Sequence, residues 1–502
     1  MAPQVRFSRR ALLASALATL ATPRIVRGAA PEASAKISDA AWNDLARQIT
    51  GGVIRPPDPR FIVLTRPENL RFYDPPDTPD AIDPNAPLAV VRPRDPKEVA
   101  AALMWAEHVG LPMVPRSGGH SYAACSTIPG LVIHAGAMRQ VRASAGSPMI
   151  ETGGGVLNGD VFSALKNTNH GIVHGRCTTV GLSAFLMGGG IGLSMREFGV
   201  GCDRVEAVEL VLANGRTVVA TAGNDYKDLF WAVRGGGGGN LAFATRWWLR
   251  SFPVGKVIAF YAHWWSGDTK AILRRLVRAL EASPEQMGAQ MSISASVADT
   301  KSPNEIKLIG QFNGSRAKFD AALGGALTDA DKYLPVELPY WDAQEFFDIE
   351  AVPNRYRETS LFADRVSDEC IDEACRLMRT LPSPQARSRL TMFLTGGQIN
   401  KVKPEATAFV HRSSQWLLNP ILEWDQQQTP EAHMKWQRDV QDGLAAIIGQ
   451  TSSYQNFPDP DAANPAEIYW GSNLTRLERV KATYDGHRIF TPPRNQGIPL
   501  SS

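Results

Sequence analysis

Several absences narrow this chain before anything present does. Nothing in its 502 residues approaches the roughly twenty apolar positions of a membrane-spanning helix; the run from Ala11 to Leu20 is about half that. There is no Cys-x-x-Cys and no His-Glu-x-x-His, so His170, His174 and Cys177 lack the companions of a usual zinc site and no metal is expected. No Gly-x-Ser-x-Gly elbow is present, which argues against a serine hydrolase. The glycines never fall as Gly-x-Gly-x-x-Gly: the sixth place counted from Gly188 is Leu193, and from Gly190 it is Met195, which disfavours a Rossmann site. Excess charge is also scarce. The first thirty residues hold Arg6, Arg9, Arg10, Arg24 and Arg27 and no acid, so setting those five aside takes the formal +3 to −2. A nearly neutral body has no electrostatic footprint for nucleic acid. Cysteine is sparse and odd in number: Cys125, Cys177, Cys202, Cys370 and Cys375. One thiol is left over from any pairing and invites a reason. Cys370 and Cys375, five apart in a helical pattern, point to different faces and are not expected to bridge.

What is present describes a folded, soluble body. Hydrophobic residues form 44% of the chain and charged ones 21%, leaving ample core for two large domains. Ahead of it, Ser8-Arg9-Arg10-Ala11-Leu12-Leu13 leads into the short apolar run. This reads as a twin-arginine export signal over 1–30, with Gly28-Ala29-Ala30 as a cleavage site and Ala33-Ser34-Ala35 as the alternative. The reading predicts a periplasmic or secreted product, a twin-arginine translocase as partner during export, and no stable membrane association. Export in the folded state suits a protein that takes up a cofactor in the cytoplasm.

Along the chain, the pattern predicts a helix over 38–48, then a proline-rich irregular stretch to Pro87. A strand over 88–91, a helix to His108 capped by Asp95, and strands over 111–115 and 130–135 follow. A second unit opens at Met149, with a helix over 158–168, a glycine-rich stretch over 171–201 and a hairpin turning at Asn214-Gly215. Beyond residues 252–255 the texture changes. Strands over 291–297 and 306–312 alternate with amphipathic helices over 269–280, 369–381 and 430–448, which predicts an antiparallel sheet with helices on one face. Leu474, Leu477, Val480 and Tyr484 form one stripe of a last helix that Gly486 is expected to stop.

The stretch Arg116-Ser117-Gly118-Gly119-His120-Ser121-Tyr122 joins two of these strands. Its adjacent glycines lift the restriction on φ and the steric barrier of a Cβ, so backbone N–H groups can face a diphosphate while His120 reaches what that diphosphate carries. Further on come Gly175-Arg176-Cys177-Thr178-Thr179-Val180-Gly181, the glycines of 188–192, Cys202-Asp203-Arg204-Val205 and Leu229-Phe230-Trp231-Ala232-Val233-Arg234-Gly235. With Tyr469-Trp470-Gly471-Ser472-Asn473 near the C-terminus, this set resembles the FAD-linked oxidases of the vanillyl-alcohol oxidase superfamily, in its berberine-bridge-enzyme-like branch. The likeness is dense over 88–254 and 454–490 and thin between.

The resemblance implies an α+β protein: a PCMH-type FAD-binding fold of two α+β subdomains over 36–254, an antiparallel-sheet substrate domain over 255–453, and a segment over 454–495 returning to the FAD domain. It implies FAD held by two covalent bonds, His120 to the 8α-methyl and Cys177 to C6 of the isoalloxazine. A thiolate near an electron-poor ring is a competent nucleophile, and the bond would account for the odd cysteine. The implied flavin contacts are Arg116, Ser117, Gly118, Gly119, Ser121, Gly181, Gly189, Gly190, Gly192, Val208 and Asn456, with Val180 at a gate that admits O2. The chain departs from its relatives at the base. Ile191 and Phe457 stand where many members carry tyrosine, and Asn419 stands where others have Gln or Glu. An amide orients a substrate but takes no proton. Tyr122 and Tyr454 remain as candidate bases, each needing a lowered pKa or a charge partner. The expected reaction moves a hydride from a C–H of an alcohol, carbohydrate or amine to FAD, with O2 reduced to H2O2. A dehydrogenase using a periplasmic acceptor and a non-catalytic flavin or ligand-binding protein are the alternatives.

Overall fold

A computed structural model of the chain describes residues 37–73, 85–144, 146–297, 304–348, 352–426 and 429–500. The export signal expected over 1–30 lies outside them. Helix Asp39–Gln48 begins where Ser38 accepts from Ala41 N–H, and helix Pro96–His108 begins where the Asp95 carboxylate accepts from Glu98 N–H with Pro96 in the first turn. That second helix crosses from Ala89–Val91 to Met113–Arg116, both parallel to Leu131–His134, and Val53–Ile54 adds an antiparallel edge. Ala89, Val90, Val91, Leu131, Val132 and Ile133 are all fully buried, as a parallel sheet covered on both faces requires.

A second sheet runs in the order Val141–Ala143, Met149–Gly153, Phe243–Arg250, Val205–Val211, Thr217–Thr221, antiparallel throughout. The hairpin at Asn214-Gly215 forms its edge, with Gly215 at φ +76°. The helix expected over 158–168 ends at Leu165. Phe252–Pro253 then pairs with His170–Gly171, closing this half before the chain leaves it.

From Lys256 the strands build one antiparallel sheet in the order Lys332–Pro339, Lys256–Trp264, Ile306–Phe312, Met287–Ser294, Ala386–Leu394, Trp416–Trp424, Arg355–Glu358, with Leu361–Ala363 also on Trp416–Trp424. Helices Thr269–Glu281, Arg316–Leu323, Asp368–Leu377 and Glu431–Ile448 cover one face, burying Leu276, Phe319, Ile371 and Trp436 against Phe260, Leu308, Met392 and Leu418. Side chains alternate along each strand, so Tyr261, Arg389, Thr391, Phe393 and Asn419 face the other way. Cys370 and Cys375 are buried in one helix and unbridged. The helix expected over 369–381 stops at Leu377, and the strand expected over 291–297 is Met287–Ser294.

The chain then returns to its first half. Helix Leu474–Asp485 packs Leu477 and Val480 into the core shared with Trp231 and Phe230, and Arg476 pairs with Asp228 at 2.7 Å while lying over Trp231. Lys481, almost fully buried, donates to Asn240 O at 2.6 Å, to Phe490 O and to Asp485. Gly486 has φ −59°, so this helix ends without the left-handed cap expected there.

Candidate active site

One cavity of about 780 Å³ lies between the first half and the uncovered face of the eight-stranded sheet. Its floor is backbone. The turn after Met113–Arg116 and the turn at 177–181 press together: a Cβ on Gly118 would run into Thr179 O and Gly181 N, and a Cβ on Gly181 would run into Ser117 Oγ and Gly118 N. Glycine at both positions is what lets the two turns touch. Their contact brings His120 Nε2 within 2.8 Å of Thr179 Oγ1, and Cys177 Sγ within 3.3 Å of the same oxygen. The two nucleophiles expected fifty-seven positions apart in the chain therefore stand on either side of one hydroxyl. Asn158 Nδ2 donates to Cys177 O at 2.9 Å, holding the second turn from beneath. Burial, then the nearby Arg116 charge, lowers the His120 pKa to about 4, so the imidazole is neutral near pH 7. Arg116 itself turns inward, donating to Thr65 O and Arg66 O.

The roof is side chains set by register. Arg389 lies opposite Ile421, and Ile421 opposite Glu358, so those three share a row across three strands; Thr391 and Asn419 face each other in the row beside it. Asn69 ties roof to floor: its Nδ2 donates to Tyr122 O (2.5 Å) and Tyr356 O (3.0 Å), and its Oδ1 accepts from Tyr356 N–H. That tie brings the Tyr122 ring beside Tyr356 and Phe457, in the cavity wall that also holds Glu358 and Asn419. Glu358 is 3% exposed and its Oε2 has no partner. Desolvation raises its pKa to about 8, despite the opposing effects of the Arg389 charge and of the nearby Tyr122 and Asn419 side chains.

The two tyrosines differ. The Tyr454 hydroxyl accepts from Gly190 N–H (2.9 Å), Ile191 N–H (3.2 Å) and Asn456 Nδ2 (2.9 Å), while Asn456 also donates to Phe185 O. Its oxygen is committed to holding the glycine turn, and burial pushes the phenol up. Tyr122 is pushed well above the usual phenol range by burial and then by Glu358 and Tyr356. Neither is a phenolate near neutrality.

The residues present fit FAD. The floor is lined by 115–122, by Gly175, Arg176 and Cys177, by Val180 and Gly181, and by Gly237, Gly238, Gly239 and Asn240, a channel of backbone with little side chain in it. Ser117 Oγ is buried there without a partner. A cavity of this volume is in the range of ligand sites. The FAD binding domain family matches residues 87–221, and the berberine and berberine-like family matches residues 453–499, the stretches that build the floor and the bracket behind it. The chain is an FAD-linked oxidoreductase that carries an FAD binding domain and a berberine-like C-terminal segment. It is similar to the aclacinomycin-N/aclacinomycin-A oxidase of Streptomyces galilaeus, at 27% identity over 96% of this chain and 97% of that one. Its fold superposes on Physcomitrella patens BBE-like 1 with a TM-score of 0.80, at 24% identity and with 92% and 99% of the two chains covered. It superposes on the glucooligosaccharide oxidase of Acremonium strictum, described with 6-S-cysteinyl, 8α-N1-histidyl FAD, with a TM-score of 0.77 at 22% identity, over 88% of this chain and 96% of that one.

In this FAD-linked oxidoreductase the cavity is lined by Arg116, Ser117, Gly118, Gly119, His120, Ser121, Tyr122, Cys177, Val180, Gly181, Gly192, Asn419, Tyr454 and Asn456, of the residues expected in the site. Three expected residues lie elsewhere. Val208 is a core residue of the five-stranded sheet, fully buried between Ala220 and Trp247 in register. Gly189 and Gly190, at φ +113° and +90°, present their Cα atoms to Phe409 and Phe185 and shape the turn from behind rather than lining the cavity. His170 Nδ1 bonds Ser251 Oγ, and both His174 nitrogens are spent, on Gly175 O and on the Tyr340 hydroxyl. Glu358 is a cavity carboxylate that sequence reading does not single out. The available signal was the alternation in Arg355-Tyr356-Arg357-Glu358, which puts a carboxylate on the same strand face as a tyrosine two positions away.

Proposed function

We propose that this chain is an oxidase that takes a hydride from the C–H of an alcohol, carbohydrate or amine, with FAD attached through both His120 and Cys177 and with O2 reduced to H2O2. The observation that carries the reading is the shared Thr179 hydroxyl, which holds the imidazole and the thiol toward one cavity. FAD, when bound, supplies the hydride acceptor and the route of electrons to O2. The chain's own residues do the rest. With Nε2 engaged by Thr179, Nδ1 of the neutral His120 is the nitrogen available for attachment, the mode named for the Acremonium strictum relative. Ser117 Oγ and the glycine-lined channel hold the diphosphate end. Val180, half-buried at the cavity wall, leaves room for O2, and the sheet face bearing Tyr261, Gln290, Thr391 and Phe393 orients the substrate. The twin-arginine pattern supports loading with FAD before export to the periplasm or beyond.

The test is acid denaturation. Flavin absorbance is expected to stay with the washed, precipitated protein, to stay also with His120→Ala or Cys177→Ala alone, and to move entirely to the supernatant in the double variant. A wild type that releases all its flavin sinks the double attachment. Peroxide formation is checked by stopped flow: Val180→Leu is expected to slow reoxidation by O2 at least about tenfold while leaving anaerobic reduction unchanged.

A further inference from the structure

We propose that Glu358 is the terminal proton acceptor of this oxidation, reached through the Tyr122 hydroxyl, so that a phenol–carboxylate pair does the work of the phenols missing at Ile191 and Phe457. The inference rests on the oxidase reading above and adds the residue that reading leaves out. Three observations meet at Glu358. It is the buried carboxylate of the roof row, set by pairing with Ile421 on a strand whose neighbour carries Arg389. Tyr122 arrives from the floor and lines the same cavity as Glu358, near enough that each bears on the other's titration. Glu358 Oε2 has no partner although it is buried, in a class of group that folded proteins rarely leave unsatisfied.

The alternatives are weaker on geometry. Tyr454 already accepts three hydrogen bonds and braces the glycine turn. Asn419 donates to Thr359 O at 2.7 Å and has no proton affinity to offer. Tyr122 alone has a phenol held too high to give up its proton to solvent, yet it passes one readily if a base stands behind it. The groups facing the pair are Arg389 from the roof strand beyond Trp416–Trp424, Tyr356 from the same strand, Glu68 and Glu423 near Tyr356, and Cys177 near Tyr122. Of these, Arg389 pulls Glu358 down and burial outweighs it, leaving the carboxyl near pH 8, within reach of a working base. The step balances. The substrate O–H or N–H bond breaks as its proton moves to Tyr122 Oη, the phenol's own proton moves to Glu358, and the C–H electron pair leaves as the hydride for which FAD is the acceptor. Afterwards Tyr122 is a phenol again and Glu358 carries one proton to return to solvent.

Glu358→Gln keeps the shape and removes the acceptor; Tyr122→Phe removes the link. An infrared pH titration of the holoenzyme needs no substrate. A protonated-carboxyl band that disappears near pH 8 is expected in the wild type, is expected to be lost in Glu358→Gln, and is expected to shift in Tyr122→Phe. In parallel, anaerobic reduction of bound flavin is followed with cellobiose, cinnamyl alcohol and piperidine. With whichever reduces the wild type, Glu358→Gln is expected to be slower by roughly 10²-fold or more and to lose the rise in rate toward pH 8, with Glu358→Asp restoring part of both. Reduction of Glu358→Gln within about threefold of wild type with the same pH profile would overturn the relay, as would a wild type without the titrating band. If none of the three probes reduces the wild type, the oxidase reading fails separately, and the infrared band alone decides the pair: present in wild type and absent in Glu358→Gln supports it, absent in both overturns it.

Discussion

The floor and the roof of the cavity are built by opposite means. The floor is a meeting of two backbone turns, closed because Gly118 and Gly181 have no Cβ to keep them apart. The roof is a sheet face on which Arg389, Glu358, Thr391 and Asn419 become neighbours only through strand register, from residues up to 61 positions apart in the chain. A floor of this kind tolerates little change, because any side chain fills it. A roof of this kind can change its chemistry one side chain at a time while the strands stay paired, which is how a fixed flavin site can serve different substrates.

The largest expected effect comes from cutting the buried tie between the two. Arg412, on the segment leading into the roof, pairs with Asp203 of the first half at 2.7 Å, with the two side chains 1% and 10% exposed. Arg412→Ala strands a buried carboxylate and is expected to cost about 3–5 kcal/mol by calorimetry, whereas Asp203→Leu with Arg412→Met recovers most of it. Next is the pH dependence of the roof. Burial raises Glu358 from 4.5 to about 8, so the folded state holds a proton that the unfolded chain releases. Its contribution to stability is complete below about pH 4.5 and is lost as pH rises through about 8. Glu358→Gln is therefore expected to gain melting temperature over wild type above pH 8 and to converge with it in acid. Then comes the floor itself: Gly181→Ala forces the turns apart, and a loss of about 1–3 kcal/mol is expected together with reduced flavin content per chain, read from absorbance. Thr179→Val, nearly isosteric, is expected to cost only about 0.5–1.5 kcal/mol, and its distinguishing result is slower covalent attachment of flavin to His120 in a time course on denaturing gels. The smallest effect belongs to neither surface: Arg316→Ala breaks an exposed pair with Asp320 and is expected to change stability by less than about 0.5 kcal/mol.

The same division governs what could be read without coordinates. Helix starts at Ser38 and Asp95, the turn at Asn214-Gly215 and the strand over 306–312 carry local signals, and each element forms where its signal stands. The floor was legible because glycines beside His120 and Cys177 announce close backbone approach in the chain itself. Val208 fails as a flavin contact because a fully buried sheet valine differs from a cavity valine only in which face of the sheet it occupies. Glu358 escaped notice for a related reason. Its partners Tyr122, Arg389 and Asn419 are each remote in sequence, and only the pairing of three strands and the Asn69 tie put them together. Tyr454 reads in the sequence as a candidate base, but its oxygen is occupied by Asn456 two positions on and by the Gly190 and Ile191 N–H groups of a turn remote in the chain.

The bracket from the last fifty or so residues has a consequence for how this protein is made. Tyr454 and Asn456 lock the glycine turn, Asn456 filling the space that a side chain on Gly188 would need, and Lys481 clamps the loop at Asn240. A ribosome that has synthesised the whole flavin-binding half has therefore not yet made the parts that close it. Flavin capture must wait until translation is nearly over, and a chain clipped at its far end should emerge colourless.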